Sequence, residues 1–228
     1  MTTCQVLKEE GAMPGGTFGR IVVTILVVLF GYLAIGNLLH RTIFPQPPPD
    51  PASYPKVGDL LVSRAEGFVQ KVTGIDGDWI TSELVIEPNA IGPPFHYHET
   101  FDEQFSVVEG TLHVRFDGEV KKVRPGESIL VPAGVPHQPF NPTTARVVLA
   151  SEDPSIPITF AACLIQLYAL MDAEEPIAMP LQMSVIDPIC DTHIADIPAP
   201  MWGLLKVALA PAARLLGYRN YYPEYALH

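Results

Sequence analysis

The chain is short of cysteine, of charge, and of basic residues above all. Its 228 residues include three cysteines, Cys4, Cys163 and Cys190. They are too few and too scattered to frame a disulfide-stapled fold. Charged residues make up 17% of the chain against 48% hydrophobic, which excludes a disordered, solvating polymer. Lys and Arg number 14 against 25 Asp and Glu, giving a formal net charge of −11 at pH 7. No nucleic acid is expected as a partner, because binding one needs a clustered basic face. No repeat of solenoid type is visible. Proline is the residue in excess, at 24, about twice the usual share. At this length one sizeable domain with extensions fits, and two large domains do not.

Residues 1–20 read as an N-terminal tail. Residues 21–39, IVVTILVVLFGYLAIGNLL, carry no charge and are bounded by Arg20 and by His40-Arg41. As a helix this stretch is about 28 Å long, close to the hydrocarbon thickness of a bilayer. A soluble helix keeps a polar face, so residues 21–40 are expected to form a transmembrane helix, a single-pass membrane anchor. A secretory signal cut near Ala34-Ile35-Gly36 is the alternative, leaving residues 37–228 secreted or periplasmic. Lys8, Glu9 and Glu10 give the preceding segment no clear basic character, which favours the anchor. Arg20 and Arg41 stand on opposite sides and leave its orientation open. Residues 41–56 follow as a linker. Pro45-Gln46-Pro47-Pro48-Pro49-Asp50-Pro51 and Pro55 favour an extended polyproline spacer.

Residues 57–153 change character. Short apolar or alternating runs at 60–63, 67–73, 79–86, 95–98, 104–108, 112–116, 119–123, 128–131 and 145–150 are separated by Gly- and Pro-bearing turns. Asp117-Gly118 between two such runs is a strong hairpin signal. Many short strands without intervening helices predict an all-β sandwich or barrel.

The chemistry concentrates on four residues. His96 and His98 flank Tyr97 on a predicted strand, so both imidazoles point to one side, roughly 6.6 Å apart along it. Glu103 shares a face with Phe105 and Val107 on the next strand, which puts a carboxylate in an apolar interior. Left unpaired there it is costly, and a metal ion removes the penalty. His137 follows the rigid turn Pro132-Ala133-Gly134-Val135-Pro136. Three imidazoles and one carboxylate suit one divalent transition metal (Fe, Mn, Ni, Cu or Zn) better than calcium or magnesium. Four protein ligands on a six-coordinate ion leave two positions open.

Gly92-x3-His96-x-His98-x4-Glu103-x6-Gly110 resembles the first motif of the cupin family, and Gly126-x5-Pro132-x-Gly134-x2-His137-x3-Asn141 resembles the second. The resemblance covers residues 57–153. It implies a double-stranded β-helix, the jelly-roll cupin barrel, and carries the family's metal ligands over to His96, His98, Glu103 and His137. Ala90 stands where the family usually has its first Gly, and Gly92 follows two residues later. The family includes dioxygenases, isomerases, decarboxylases and non-catalytic binders, so the fold does not fix the function. The first expectation is a membrane-anchored, metal-binding cupin that acts as a dioxygenase-like or isomerase-like metalloenzyme on a small-molecule substrate. The alternative is a non-catalytic ligand-binding or sensor module. No catalytic acid or base is singled out.

Other candidates read as structural. His113 alternates with Leu112 and Val114, which predicts a solvent-facing ring. Cys163 reads as a small core residue. Cys190-Asp191-Thr192-His193 has a Cys-x2-His spacing without further ligands nearby. Asn141 reads as a turn residue bonding locally. Residues 154–228 are expected to form helices. The stretch 158–171 is uncharged but short for a membrane span. The stretch 201–217, broken at Pro211 and flanked by Trp202 and several tyrosines, fits packing on the barrel, on a homodimer partner, or in the membrane interface.

Overall fold

The structure, a computed structural model, describes residues 15–45, 49–150, 156–173 and 178–227. Cys4, the stretch of Lys8 to Glu10, Gln46 to Pro48 and the boundary at residue 153 lie outside the described residues, as do the side chains of His40 and Arg41. Four helices are described: α1 (Gly15–Ile43), α2 (Ile158–Asp172), α3 (Met179–Cys190) and α4 (Ala199–Leu215). The strands are β1 (Leu60–Ser63), β2 (Phe68–Asp76), β3 (Trp79–Ile86), β4 (His96–Tyr97), β5 (Glu103–Glu109), β6 (Leu112–Phe116), β7 (Glu119–Val123), β8 (Ser128–Val131), β9 (His137–Phe140), β10 (Val147–Ala150), β11 (Ile156–Pro157) and β12 (His193–Ile194).

The strands form two antiparallel sheets. One runs β1-β2-β3-β10-β5-β8 with β11 beside β3, and the other runs β12-β4-β9-β6-β7. Alternation drives the layering: Phe105 and Val107 of β5 point inward, as do Leu112 and Val114 of β6, and they meet Phe68, Ile86, Val131 and Val147 in one apolar core. Burial of these side chains contributes roughly 1.5–3 kcal/mol each.

The expected antiparallel strands and C-terminal helices are present, but the jelly-roll barrel is corrected to two separate sheets. Among the described residues no strand pairing joins the two sheets. The physical reason lies at β4, whose outer edge is taken by β12 from the C-terminal segment, His193 opposite Tyr97 and Ile194 opposite His96. The solvent-facing reading of His113 is also corrected. Its residue is 8% exposed and its ring lies 5.7 Å from that of Phe140, because β6 sits between β9 and β7 and its neighbours' side chains cover it.

The helices close one side of this domain. Helix α2 buries Phe160, Ala161, Ile165 and Tyr168 beside Leu61 and Ile80. The sequence reading of Cys163 and Cys190 is corrected, because the two form a disulfide with Cα atoms 5.3 Å apart. That separation lies within the span a disulfide bridges, and it ties α2 to α3 inside a cluster of Leu167, Leu170, Met183, Ile186 and Trp202. Cys190 is thereby unavailable as a metal ligand.

Helix α4 runs unbroken through Pro211, against the predicted break. A proline leaves the carbonyl four residues earlier without its helical donor. Here that carbonyl is Val207 O, and Asn37 Nδ2 of α1 donates to it at 3.0 Å. Tyr32 Oη donates to the next carbonyl, Ala208 O, at 2.7 Å. Gly36 sits under Pro211, where an added Cβ would lie 3.2 Å from the ring. Small residues and interhelical hydrogen bonds of this kind hold membrane helices together. Among the described residues α1 is the one helix long and apolar enough to cross a membrane, by length and composition.

Candidate metal centre

The register of the smaller sheet brings the histidines together. His96 on β4 stands directly opposite His137 on β9, a pairing that sets their Cβ atoms roughly 5 Å apart. His98 follows His96 by two residues and shares its face, so all three rings are buried. Glu103 comes from the opposing sheet, at the start of β5. One donor atom from each of His96, His98, Glu103 and His137 lies within 4.8 Å of the others. Two ligands at about 2.1 Å from a shared ion are at most about 4.2 Å apart, so the set fits one small cation with a contraction of a few tenths of an ångström.

Hydrogen bonds fix the rings. His96 Nδ1 donates to Pro94 O at 2.8 Å, His98 Nδ1 to Asp191 O at 2.7 Å, and His137 Nδ1 to Val135 O at 3.1 Å. With the proton on Nδ1, each Nε2 is left to serve the cluster, the arrangement that metal-bound imidazoles use. His98 Nε2 is buried with no hydrogen-bond partner among the described residues. It sits 3.4 Å from Glu103 Oε2, a separation that a shared cation would bridge.

The remaining proton sits on His137. Its Nε2 donates to Glu103 Oε2 at 2.7 Å. Burial works to lower its pKa, but the hydrogen bond to Glu103 and that carboxylate's charge win and raise it. Burial likewise pushes Glu103 up, yet hydrogen bonding to His137 and the nearby His98 hold it well below the usual carboxylate range. Burial, reinforced by His137 and His98, lowers His96 to about 3. Without metal, the pair's mutual attraction favours the charged forms of Glu103 and His137, while burial favours a neutral His96.

Gly92 positions β9. It has φ +68°, and an added Cβ would lie 1.9 Å from Pro139 O. Gly92→Ala is therefore expected to push β9 and His137 away from β4 and to cost about 2–3 kcal/mol. Denaturant unfolding of the two proteins checks it. Asn141 bonds locally, as expected, donating to Ala145 O at 2.7 Å and accepting from Thr143 N at 3.1 Å, and it is fully buried and also donates to Glu87 O at 2.9 Å. It locks the end of β9 to β3 and β10.

Sequence reasoning missed several residues around the site. Asp191 adopts a left-handed backbone at the end of α3. Its carboxylate accepts from the amides of Glu99 and Thr100 at 2.9 Å each, while its carbonyl holds His98. No local signal marks it, since it lies 93 positions from His98. A cavity of about 290 Å³ adjoins the centre, lined by His96 and Glu103 and also by Phe160, Leu164, Met183 and Trp202. Glu66 and Tyr168 also line it. Burial, with help from the Asp172 charge, raises Glu66 to about 7. Burial, then the charges of Glu66 and Glu103, push the Tyr168 hydroxyl well above its ordinary value.

Residues 82–151 match a family model described as a cupin domain. An uncharacterized protein of Aquifex aeolicus (strain VF5) is 32% identical over 98 residues, covering 42% of this chain and 79% of that one. A cupin-2 domain containing protein from Shewanella frigidimarina NCIMB 400 is similar in structure, at 26% identity and a TM-score of 0.32, over 37% of this chain and 78% of that chain. A sugar phosphate isomerase from a cupin superfamily of Silicibacter pomeroyi DSS-3 is similar at 27% identity and a TM-score of 0.34, over 47% of this chain and 77% of that chain.

Proposed function

The chain belongs to the cupin superfamily, and from that premise we propose that it is a membrane-tethered metalloenzyme. His96, His98, Glu103 and His137 hold one divalent transition metal, and the small-molecule substrate occupies the adjoining cavity. The observation that carries this reading is the convergence of three Nδ1-anchored imidazoles and one carboxylate within 4.8 Å at a cavity wall. A bound ion supplies Lewis acidity, or O₂ activation if it is iron or copper. The chain's own residues do the rest. The carbonyls of Pro94, Val135 and Asp191 hold the rings in one tautomer. Helices α2 and α3 keep bulk water from the cavity. Glu66, poised near neutrality, takes or gives a proton there, and Tyr168 stays a hydroxyl donor.

The tether is α1, whose surface carries exposed Phe18, Val27, Phe30 and Leu38. The Cys163–Cys190 bond supports placing the cupin domain on the oxidising side of the membrane, with the N-terminal tail opposite.

Loading the full chain with Mn²⁺ in lipid nanodiscs and measuring hyperfine broadening in H₂¹⁷O tests the proposal. About two exchangeable waters are expected on the ion, the number four ligands leave on an octahedral centre. An ion with no exchangeable water would have nowhere to receive a substrate, and the enzymatic reading would fail.

A further inference from the structure

The cavity wall says more about the ligand than the metal centre does. Among the described residues, and apart from the metal-centre residues, its polar lining consists of Glu66, Gln70, Tyr168 and Thr192. Gln70 is already engaged, donating to Ser82 Oγ at 2.8 Å. No Lys or Arg is among the lining residues described. A phosphorylated substrate would find no cation in this wall beyond the metal centre itself, and a polyhydroxylated one would leave hydroxyls unpaired along the apolar stretch, at a cost of about 1–3 kcal/mol for each unpaired group. The rest of the wall is aliphatic, aromatic or proline. Trp202 also lines it, and its indole Nε1 is buried with no hydrogen-bond partner among the described residues.

Trp202 belongs to α4, the helix that packs on α1 through Tyr32, Asn37 and Gly36. Beyond these contacts α4 exposes Leu204, Val207 and Leu215, and its C-cap Leu216 is exposed too. Because α4 packs on α1, a bilayer around α1 would lie beside this apolar surface. One helix therefore has one side on the membrane anchor and one residue in the wall of the cavity. We propose, on top of the metal-binding reading, that the ligand is an amphiphile drawn from the bilayer. Its oxygen-bearing head reaches the metal centre, and its apolar body lies along Phe160, Leu164, Met183 and Trp202. At about 290 Å³ the cavity sits at the small end of ligand sites and takes a compact apolar body rather than a full phospholipid.

The probes are n-alkyl hydroxamates of four, six and eight carbons, titrated into the full chain in nanodiscs. The chain has two tryptophans, so Trp79→Phe leaves Trp202 as the reporter. Dissociation constants, referred to the aqueous concentration, are expected to tighten about fourfold for each added methylene, which is about 0.8 kcal/mol. The same slope is expected with and without Mn²⁺, so it stands even if the metal reading fails. A metal-independent offset would sink that reading and leave this one intact. Leu164→Phe and, as a second variant, Ile197→Phe are expected to weaken the octyl probe at least tenfold and the butyl probe less than twofold. An absent slope, or a slope unchanged in both variants, would overturn the proposal, the latter showing partition into lipid alone. Preloading the probe in the nanodisc is expected to speed binding relative to adding it in buffer. A rate set by the aqueous concentration alone would refute delivery from the membrane.

Discussion

Glu103→Gln is expected to lower transition-metal affinity at least a hundredfold while the metal-free chain stays folded. The change is isosteric and keeps an oxygen facing His137. It removes the one negative charge among the four donors, and with it the attraction for a cation in a buried site. The loss exceeds the ten- to hundredfold that follows when only an outer partner of a ligand is disturbed. Asp191→Ala is such a disturbance, since it frees the amides of Glu99 and Thr100 next to His98, and it is expected to fall inside that lower range. The pH dependence follows from the His137 proton. Its folded pKa is raised by Glu103, so below that value the metal must displace one proton, and affinity climbs with a slope of about one. Above it the affinity is flat. His96, held at about 3, contributes no competing proton across the neutral range. In Glu103→Gln the support for the imidazolium is lost, so the midpoint moves to lower pH. Competition titrations with a chromophoric chelator between pH 5 and 9 measure both effects. Unchanged affinity in Glu103→Gln would remove this carboxylate from the ligand set.

Much of this centre was legible because its spacing is local. The runs at 60–63, 79–86, 112–116, 119–123 and 128–131 coincide with β1, β3, β6, β7 and β8, where alternation and Asp117-Gly118 mark both periodicity and turn. His96 and His98 share a face because a strand has period two. Their pairing with His137 follows from motif order, while the strand that carries His137 was missed. The sequence His-Gln-Pro-Phe holds Pro139, which argues against a strand between two others. Yet β9 lies between β4 and β6, with Pro139 opposite Val114. Gly92 leaves room for the Pro139 carbonyl in this arrangement. The departure at Ala90 has a related cause. Asn89 takes the positive φ just before it, and the buried Ala90 packs so close to Gly67 that a Cβ there would lie 2.7 Å away.

The C-terminal half was legible only as apolar helices. Its contributions to the site act across long sequence separations: Asp191 on His98, β12 on β4, Asn37 on the carbonyl that Pro211 abandons. None leaves a pattern within a window of ten or twenty residues. The apolar excess in residues 158–171 and 201–217 thus served two purposes that composition cannot separate. One is a wall for the cavity, and the other is a face for α1.

Reducing the Cys163–Cys190 bond is expected to destabilise the domain by about 3–4 kcal/mol. The bond closes a loop spanning 27 positions, and the chain-entropy cost of opening such a loop in the unfolded state lies between that of 15-residue and 100-residue loops. For a domain of this size that corresponds to a fall in Tm of roughly 10 °C. Thermal unfolding with and without reductant measures it, and a Cys163→Ala/Cys190→Ala double variant should melt at the reduced temperature and ignore the reductant. An identical Tm with and without reductant would mean that the bond stabilises nothing. The damage should also be local. The bond lies where α2 and α3 meet, and those helices supply Leu164, Leu167, Met179 and Met183 to the cavity wall. Asp191, which holds His98, follows Cys190 directly in the chain. Opening the bond below the melting temperature should therefore loosen the apolar wall and the His98 anchor together. Hydrogen exchange should rise first in α3 and at Glu99 and Thr100, whose amides depend on Asp191. The strands β5, β6 and β10, which rest on the inter-sheet core, should stay protected.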